Sequence, residues 1–305
     1  TKYGDEAVFI TYEAPSVGDG TAENPYEISS LANLSWLSQT SDAWGSYFIQ
    51  TADIDANLTS TWNNGEGWLP IGNGETNFSG SYDGKGYIIS NLYINRSEYY
   101  QGLFGLINNA EVKNLGLENV DITGDRRTGA ITGSSYYATI ENCYTTGNVT
   151  SASDKVGGIV GENLVDGKII NCYSRCAVSG SYNAGGISGT NGNLCEIINC
   201  YSTGTITGIS SLGGISGSGF MVAKNCFWDT ITSGIGTSYG GTGITTAEMT
   251  DLATYTNTST TGLDEAWDFP GYPNDDNGTA SIWEIDAAVN NGYPRLSWQH
   301  EPKNT

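Results

Sequence analysis

The chain has 305 residues and a net charge of −21, with 12 Lys and Arg against 33 Asp and Glu. That balance argues against nucleic acid and against anionic membrane surfaces as partners, and no stretch is long and apolar enough for membrane insertion. It suits an extracellular or cell-surface protein, and because the chain opens at Thr1-Lys2 we expect a secretory leader to have been removed.

In chain order, Glu6-Ala7-Val8-Phe9-Ile10-Thr11-Tyr12 has strand character and can pair with its own molecule or another. Ser29–Leu37 reads as a helix, with serine at its start and apolar residues at helical spacing. Residues 1–45 are therefore read as an N-terminal strand and helical cap. Strand-like segments follow at Tyr47–Ile49 and Tyr87–Ile94.

From residue 101 onward, five glycine-rich motifs recur: Gln101-Gly102-Leu103-Phe104-Gly105, Gly129-Ala130-Ile131-Thr132-Gly133, Gly157-Gly158-Ile159-Val160-Gly161, Gly185-Gly186-Ile187-Ser188-Gly189 and Gly213-Gly214-Ile215-Ser216-Gly217. Their second positions are 28 residues apart, a period that marks a stacked repeat. A second ladder runs alongside: Asn91-Leu92, Asn114-Leu115, Asn142-Cys143, Asn171-Cys172, Asn199-Cys200 and Asn225-Cys226, each with an apolar or small residue two before the Asn. Inward positions three apart require a bend in the strand, and Asn tolerates the left-handed conformation of such a bend. Glycine interrupts every helical window in this region. The pattern predicts an all-β chain, a right-handed parallel β-helix (β-solenoid) with about three short strands per coil over residues 46–228. Small helical and strand caps close both ends.

Residues 229–305 change character and are read as the C-terminal cap. Thr245–Leu252 predicts a capped short helix, and Ser281–Ile285 with Tyr293–Trp298 predict strands covering the last coil. Trp267, Trp283 and Trp298 are read as cap core rather than ligand platforms.

Cys143, Cys172, Cys200 and Cys226 share one rung and are read as buried free thiols, although coils about 4.8 Å apart would also permit disulfides. Cys176 and Cys195 fall off that rung at opposite ends of a strand, so they are not expected to pair. No zinc spacing is present.

The chain resembles surface proteins of bacteria and archaea that carry the GLUG repeat. The resemblance rests on Gly102-Leu103-Phe104-Gly105, and on Gly18–Ile28, Asp53-Ile54-Asp55, Trp68–Gly72, Phe78-Ser79-Gly80, Asp83–Gly86, Asn225–Asp229, Thr246–Met249 and Trp267-Asp268-Phe269. It implies a β-helical surface module. Such repeats occur in adhesin-like proteins and beside the catalytic domain of IgA-cleaving metallopeptidases. The peptidase itself is excluded, because His-Glu-x-x-His is missing and the single histidine is His300.

The first functional expectation is a non-catalytic module for adhesion or glycan binding, with a glycan or a host or cell-surface protein as partner. Tyr93, Tyr144, Tyr173, Tyr201 and Phe227 follow the ladder Asn by two and should face outward as an aromatic stripe, the candidate ligand-binding residues. The same stacking equally serves to stabilise neighbouring coils. Tyr99-Tyr100 and Tyr136-Tyr137 are further aromatic candidates in turns. The alternatives are a polysaccharide lyase or hydrolase and a subunit that self-associates end to end into a filament. A hydrolase needs two carboxylates, for which Asp53, Asp55 and Asp83 are the acidic candidates, although all three also suit structural turns. Arg126, Arg127 and Arg175 supply charge for a lyase without forming a recognisable set. No catalytic residue is assigned and no cofactor is firmly expected. Calcium is a candidate at the Asp275-Asp276 turn, which lacks full calcium-loop spacing.

Overall fold

The computed structural model describes residues 12–220, 222–272 and 281–299. The expected strand at residues 6–12 (all but Tyr12), the Asp275-Asp276 turn and His300 lie outside these.

The chain forms a parallel β-solenoid. An eight-stranded sheet runs from Tyr26–Ile28 through Tyr47–Gln50, Ser81–Asp83, Glu111–Lys113, Thr139–Glu141, Lys168–Ile170 and Glu196–Ile198 to Val222–Lys224. A five-stranded sheet stacks Phe104–Asn108, Thr132–Tyr136, Val160–Leu164, Ser188–Asn191 and Ser216–Gly219. The third sheet has thirteen strands, and its longest member, Tyr144–Gly157, bends along the coil. Every pairing within these three sheets is parallel, and Thr132, Val160, Ser188 and Ser216 stack in register at the 28-residue period. Inside, Ile140, Ile169 and Ile197 face Cys143, Cys172 and Cys200, all at most 1% exposed.

The bend between inward residues is the one the spacing required. Asn114, Asn142, Asn171, Asn199 and Asn225 all have φ between 50° and 52°, the left-handed region. Their side chains bond along the column in two runs. Asn114 Nδ2 donates to Asp83 Oδ1 at 3.0 Å and Asn142 Nδ2 to Asn114 Oδ1 at 3.3 Å. Asn199 donates to Asn171 at 3.2 Å and Asn225 to Asn199 at 3.1 Å. Between the runs the repeat is 29 residues, one longer than the period.

Asn91 is a correction. Its register partner is Asn119, not Asn114, because Ser90 pairs with Glu118. It stands on a different corner, in a column where Asn119 donates to Asn91 and Asn91 to Asp55 Oδ1, at 2.6 and 2.9 Å. Tyr93 moves with it and pairs with Asp121, off the column that holds Tyr144.

The glycine motif lies at the corner leading into the five-stranded sheet, and close approach explains its last glycine. A Cβ on Gly161 would lie 2.4 Å from Thr128 N, and one on Gly189 would lie 2.5 Å from Val156 N. In each case the backbone of the preceding coil, just before its own glycine motif, crosses the motif backbone to backbone, leaving no room for a side chain.

All six cysteines are free and buried. Cys143, Cys172, Cys200 and Cys226 each donate Sγ–H to a carbonyl two residues earlier, at 3.1 Å. Cys176 precedes a strand of the thirteen-stranded sheet and Cys195 one of the eight-stranded sheet, so they stand on different faces.

The N-terminal helix α1 spans Leu31–Gln39, with Ser30 Oγ accepting from Asn33 N at its start. At the other end, Thr245 and Glu248 form a reciprocal cap on the short helix Thr246–Met249, and a second helix, Leu252–Thr256, is capped by Asp251. Trp283–Glu284 and Arg295–Leu296 pair antiparallel. They do not cover the last coil as expected. Thr242–Ile244 does that on one sheet, by pairing with Phe227–Asp229. The later segment instead turns back along the flank of the solenoid as far as Trp298, whose indole N–H reaches Asn142 O at 3.2 Å.

Candidate binding site on the solenoid flank

The aromatic stripe forms over Tyr144, Tyr173, Tyr201 and Phe227, in register and pointing away from the coil interior. Tyr144 and Tyr173 stack at 5.1 Å and 10°, and Tyr173 and Tyr201 at 4.9 Å and 3°. The expectation that these rings are exposed is corrected: all four are buried at 3% exposure or less. The returning C-terminal segment packs Met249, Tyr255, Leu263, Trp267, Phe269, Trp283, Tyr293 and Leu296 onto them as a second core. An aromatic ridge in water is a large apolar surface, and covering it stabilises both segments. Trp267 and Trp283 are fully buried there, as a cap core requires. Tyr93 is half-buried and stands apart, against Gly67.

Among the described residues the cover is incomplete beside Tyr144. Where Tyr144 begins the stripe, the preceding coil has Gly116, and a Cβ there would lie 2.5 Å from the Tyr144 ring. The ring leans over that glycine and leaves a hollow. A cavity of about 330 Å³ remains between solenoid and C-terminal segment. Its walls include Tyr144, Tyr173 and Trp298, and its polar lining is Glu118, Thr146, Arg175, Asn290, Arg295 and Gln299. The Tyr144 and Trp298 rings are 5.5 Å apart and tilted by 38°.

The polar groups are held in place by one another. Tyr144 OH donates to Glu118 Oε1, and Arg175 Nη1 donates to Asn290 Oδ1. Tyr173 OH donates to Gln299 Oε1 at 3.1 Å, and Arg175 lies 5.9 Å over the Tyr293 ring. Burial raises the Tyr144 and Tyr173 phenols, so both are protonated donors at neutral pH. The set pairs an aromatic wall with planar carboxylate, amide and guanidinium groups. With Tyr144 and Tyr173 buried, the partly exposed Trp298 indole is the aromatic face that can stack on the apolar face of a ring, and the polar groups can exchange paired hydrogen bonds with neighbouring hydroxyls.

Of the sequence-named residues, Tyr144, Tyr173 and Arg175 meet in this cavity, whereas Tyr201 and Phe227 lie deeper beneath the cover. Glu118, Thr146, Asn290 and Gln299 were missed. The signal for the first two was present: Glu118, Thr146 and Arg175 each stand two residues after Gly116, Tyr144 and Tyr173, on the same strand face.

The other candidates are engaged in structure. Asp53 Oδ1 accepts from Ile88 N at 2.9 Å, and Asp55 and Asp83 each end an Asn column. Asp83 also pairs with Lys85 at 3.1 Å. Arg126 pairs with Asp154 at 2.6 Å. Arg127 pairs with Glu162 at 2.5 Å, and Lys155 joins the same carboxylate. Burial alone would lower the Arg127 pKa, but its bond to Glu162 raises it overall. Among the described residues no group of three or more His, Cys, Asp or Glu is arranged to hold a metal ion.

A family model for the GLUG motif matches residues 180–207, which is one solenoid coil. The chain carries the GLUG motif. The register of the sheets extends the same repeat to the neighbouring coils. Halomucin of Haloquadratum walsbyi is 40% identical over 155 residues, 49% of this chain and 2% of halomucin. A provisionally named Gly-rich membrane protein of Evansella cellulosilytica is 38% identical over 125 residues, 39% of this chain and 14% of that protein. The GLUG-bearing chain thus spans a small part of these relatives. Among solved structures, a provisionally named immunoglobulin A1 protease from Bacteroides ovatus aligns over 92% of this chain and 94% of its own, with a TM-score of 0.65 and 21% identity. That likeness concerns the fold alone.

Proposed function

We propose that this GLUG solenoid is a non-catalytic module of a cell-surface protein and that it binds neutral saccharide chains through the flank cavity. The observation that carries the reading is the juxtaposition of Tyr144 and Trp298 with Glu118, Arg175, Asn290 and Gln299 around one 330 Å³ hollow. Apolar walls with a few fixed polar groups are the usual make-up of a small-ligand site. The net charge of −21 disfavours polyanionic glycans. The names of the relatives, halomucin and a membrane protein, support placement at the cell surface. The engagement of Asp53, Asp55 and Asp83 in structural bonds favours binding over hydrolysis.

The test is affinity electrophoresis through gels containing laminarin, mannan, xylan or hydroxyethyl cellulose. One of these should retard the wild type, and Trp298→Ala and Arg175→Ala should weaken the retardation at least tenfold. Release of reducing ends would overturn the non-catalytic reading. Retardation unchanged in both variants would move the ligand away from this cavity.

A further inference from the structure

A second cleft, on another face, carries features the flank cavity does not explain. It has a volume of about 340 Å³ and lies where the five-stranded sheet hands over to the eight-stranded one. Tyr47 and Tyr137 both line it, at 45% and 52% exposure, and its polar lining is Ser79, Ser81, Asn109 and Glu111. Ser81 Oγ donates to Glu111 Oε2 at 3.2 Å, and Lys113 Nζ lies 2.7 Å from the same oxygen.

Tyr137 is held at a cost. Its φ is 46°, in the left-handed region, where a bulky side chain crowds the backbone. Asn109 occupies the same place in the preceding coil with φ 53°, and Asn is the residue that tolerates this conformation. The Tyr137 ring recovers little by burial, since it is half exposed. The following coil repeats the bend at Val165 with φ 35°, so the corner sets the conformation; what the coil does not call for is an exposed aromatic there, beside a second exposed aromatic and a polar lining.

We infer that Tyr47 and Tyr137 form a second saccharide site, taking one neutral pyranose unit of a polysaccharide. The two rings offer stacking faces. Ser81, Asn109 and Glu111 supply donors and acceptors to its hydroxyls. Lys113 beside Glu111 offsets the carboxylate charge, which suits an uncharged ligand. The site is separate from the flank cavity and does not depend on it.

The experiment is isothermal titration with laminarihexaose, mannohexaose, xylohexaose and cellohexaose on four full-length proteins: wild type, Tyr137→Asn, Tyr47→Ala and Trp298→Ala. Tyr137→Asn should raise the melting temperature by roughly 2–4 °C, by relieving the left-handed tyrosine. The same change should weaken binding of one hexaose at least tenfold, as should Tyr47→Ala, whereas Trp298→Ala retains binding at this site. Greater stability with lost binding is the expected pair. A lower melting temperature for Tyr137→Asn would make Tyr137 a structural residue and overturn the inference. So would binding lost only in Trp298→Ala, which would leave the flank reading standing alone. Binding to no hexaose overturns it as well. Binding lost in the two tyrosine variants and unchanged in Trp298→Ala supports this cleft and removes the flank cavity.

Discussion

Tyr201→Ala tests how the flank is built. The Tyr201 ring is fully buried and stacks on Tyr173 at 4.9 Å, with Trp283, Tyr293 and Trp267 at 6.0, 6.3 and 6.5 Å. Its hydroxyl donates to Pro294 O at 2.5 Å and accepts from Asn290 Nδ2 at 3.1 Å. Truncating a buried aromatic costs about 3–5 kcal/mol. The lost ring pairs place this variant toward the upper end of that range, while the Pro294 carbonyl keeps its bond from Asn290 Nδ2 at 2.7 Å. A loss of 3 kcal/mol alone weakens docking of the C-terminal segment by about 100-fold. The solenoid beneath keeps its coil-to-coil bonds, so the effect should appear as local release rather than global unfolding. The assay combines limited proteolysis with tryptophan emission. Trp267 and Trp283 are fully buried at present, so release should shift the emission to the red and open the segment after Asp229 to cleavage. Tyr201→Phe, which removes only the hydroxyl and leaves Pro294 O bonded to Asn290 Nδ2, should cost about 0.5–1.5 kcal/mol and give a smaller effect. Wild-type emission and cleavage in Tyr201→Ala would refute the reasoning, since the ring would then not lie beneath the cover.

Three further outcomes follow from the same geometry. Asn171→Ala should lose about 1–2 kcal/mol in urea melts, because alanine is strained at φ 52°, and Asn171→Gly should lose less although both lose the bond to Asn199. Equal losses would mean the side-chain bond, not the backbone, sets the cost. Gly189→Ala should destabilise by about 1–3 kcal/mol, since its Cβ would fall 2.5 Å from Val156 N and 2.6 Å from Gly161 O, and neither backbone can withdraw without moving a coil; an unchanged urea midpoint would show that the coils can part there. In alkali the flank should open late and abruptly. Burial first, and the bond to Asp229 second, push Tyr293 up from 10.0 to about 12, and burial raises Tyr144, Tyr173, Tyr201 and Tyr255 as well. A raised folded pKa contributes stability that is complete below the unfolded value near 10 and is lost as pH climbs through the folded one. Tyrosinate absorbance at 295 nm should therefore lag the ordinary titration and rise together with tryptophan exposure near or above pH 12. Ordinary titration of all tyrosines near pH 10 would contradict a buried stripe.

The solenoid was legible because its cause is local. Ile140-x-Asn142-Cys143 forces a bend, and the bend recurs with the period of the coil. Asn91 misled for the same reason: Ile89-x-Asn91-Leu92 meets the identical local requirement at a different corner, and only the pairing of Ser90 with Glu118 distinguishes the two. Its spacing of 23 residues to Asn114, against 26 to 29 elsewhere, was the available warning. The alternation that sends Tyr144, Tyr173 and Tyr201 outward was also legible. Their burial was not, because it depends on Trp267, Trp283 and Leu296, which lie far along the chain and carry no periodic mark. The flank cavity arises from that long-range docking and from the missing ring at Gly116. Its solenoid-borne half, Glu118, Thr146 and Arg175, could be read from strand alternation, whereas Asn290, Gln299 and Trp298 could not be placed beside it from sequence.

The most direct test of the saccharide-binding account is a titration of the wild-type chain with the neutral hexaose series, followed by tryptophan emission and by proton saturation transfer. The account predicts saturable binding of at least one hexaose, a change in Trp298 emission that Trp298→Ala abolishes, and transfer from tyrosine ring protons to the sugar that Tyr137→Asn reduces. An absence of binding across the series would contradict it and leave a protein partner or self-assembly as the role of this surface.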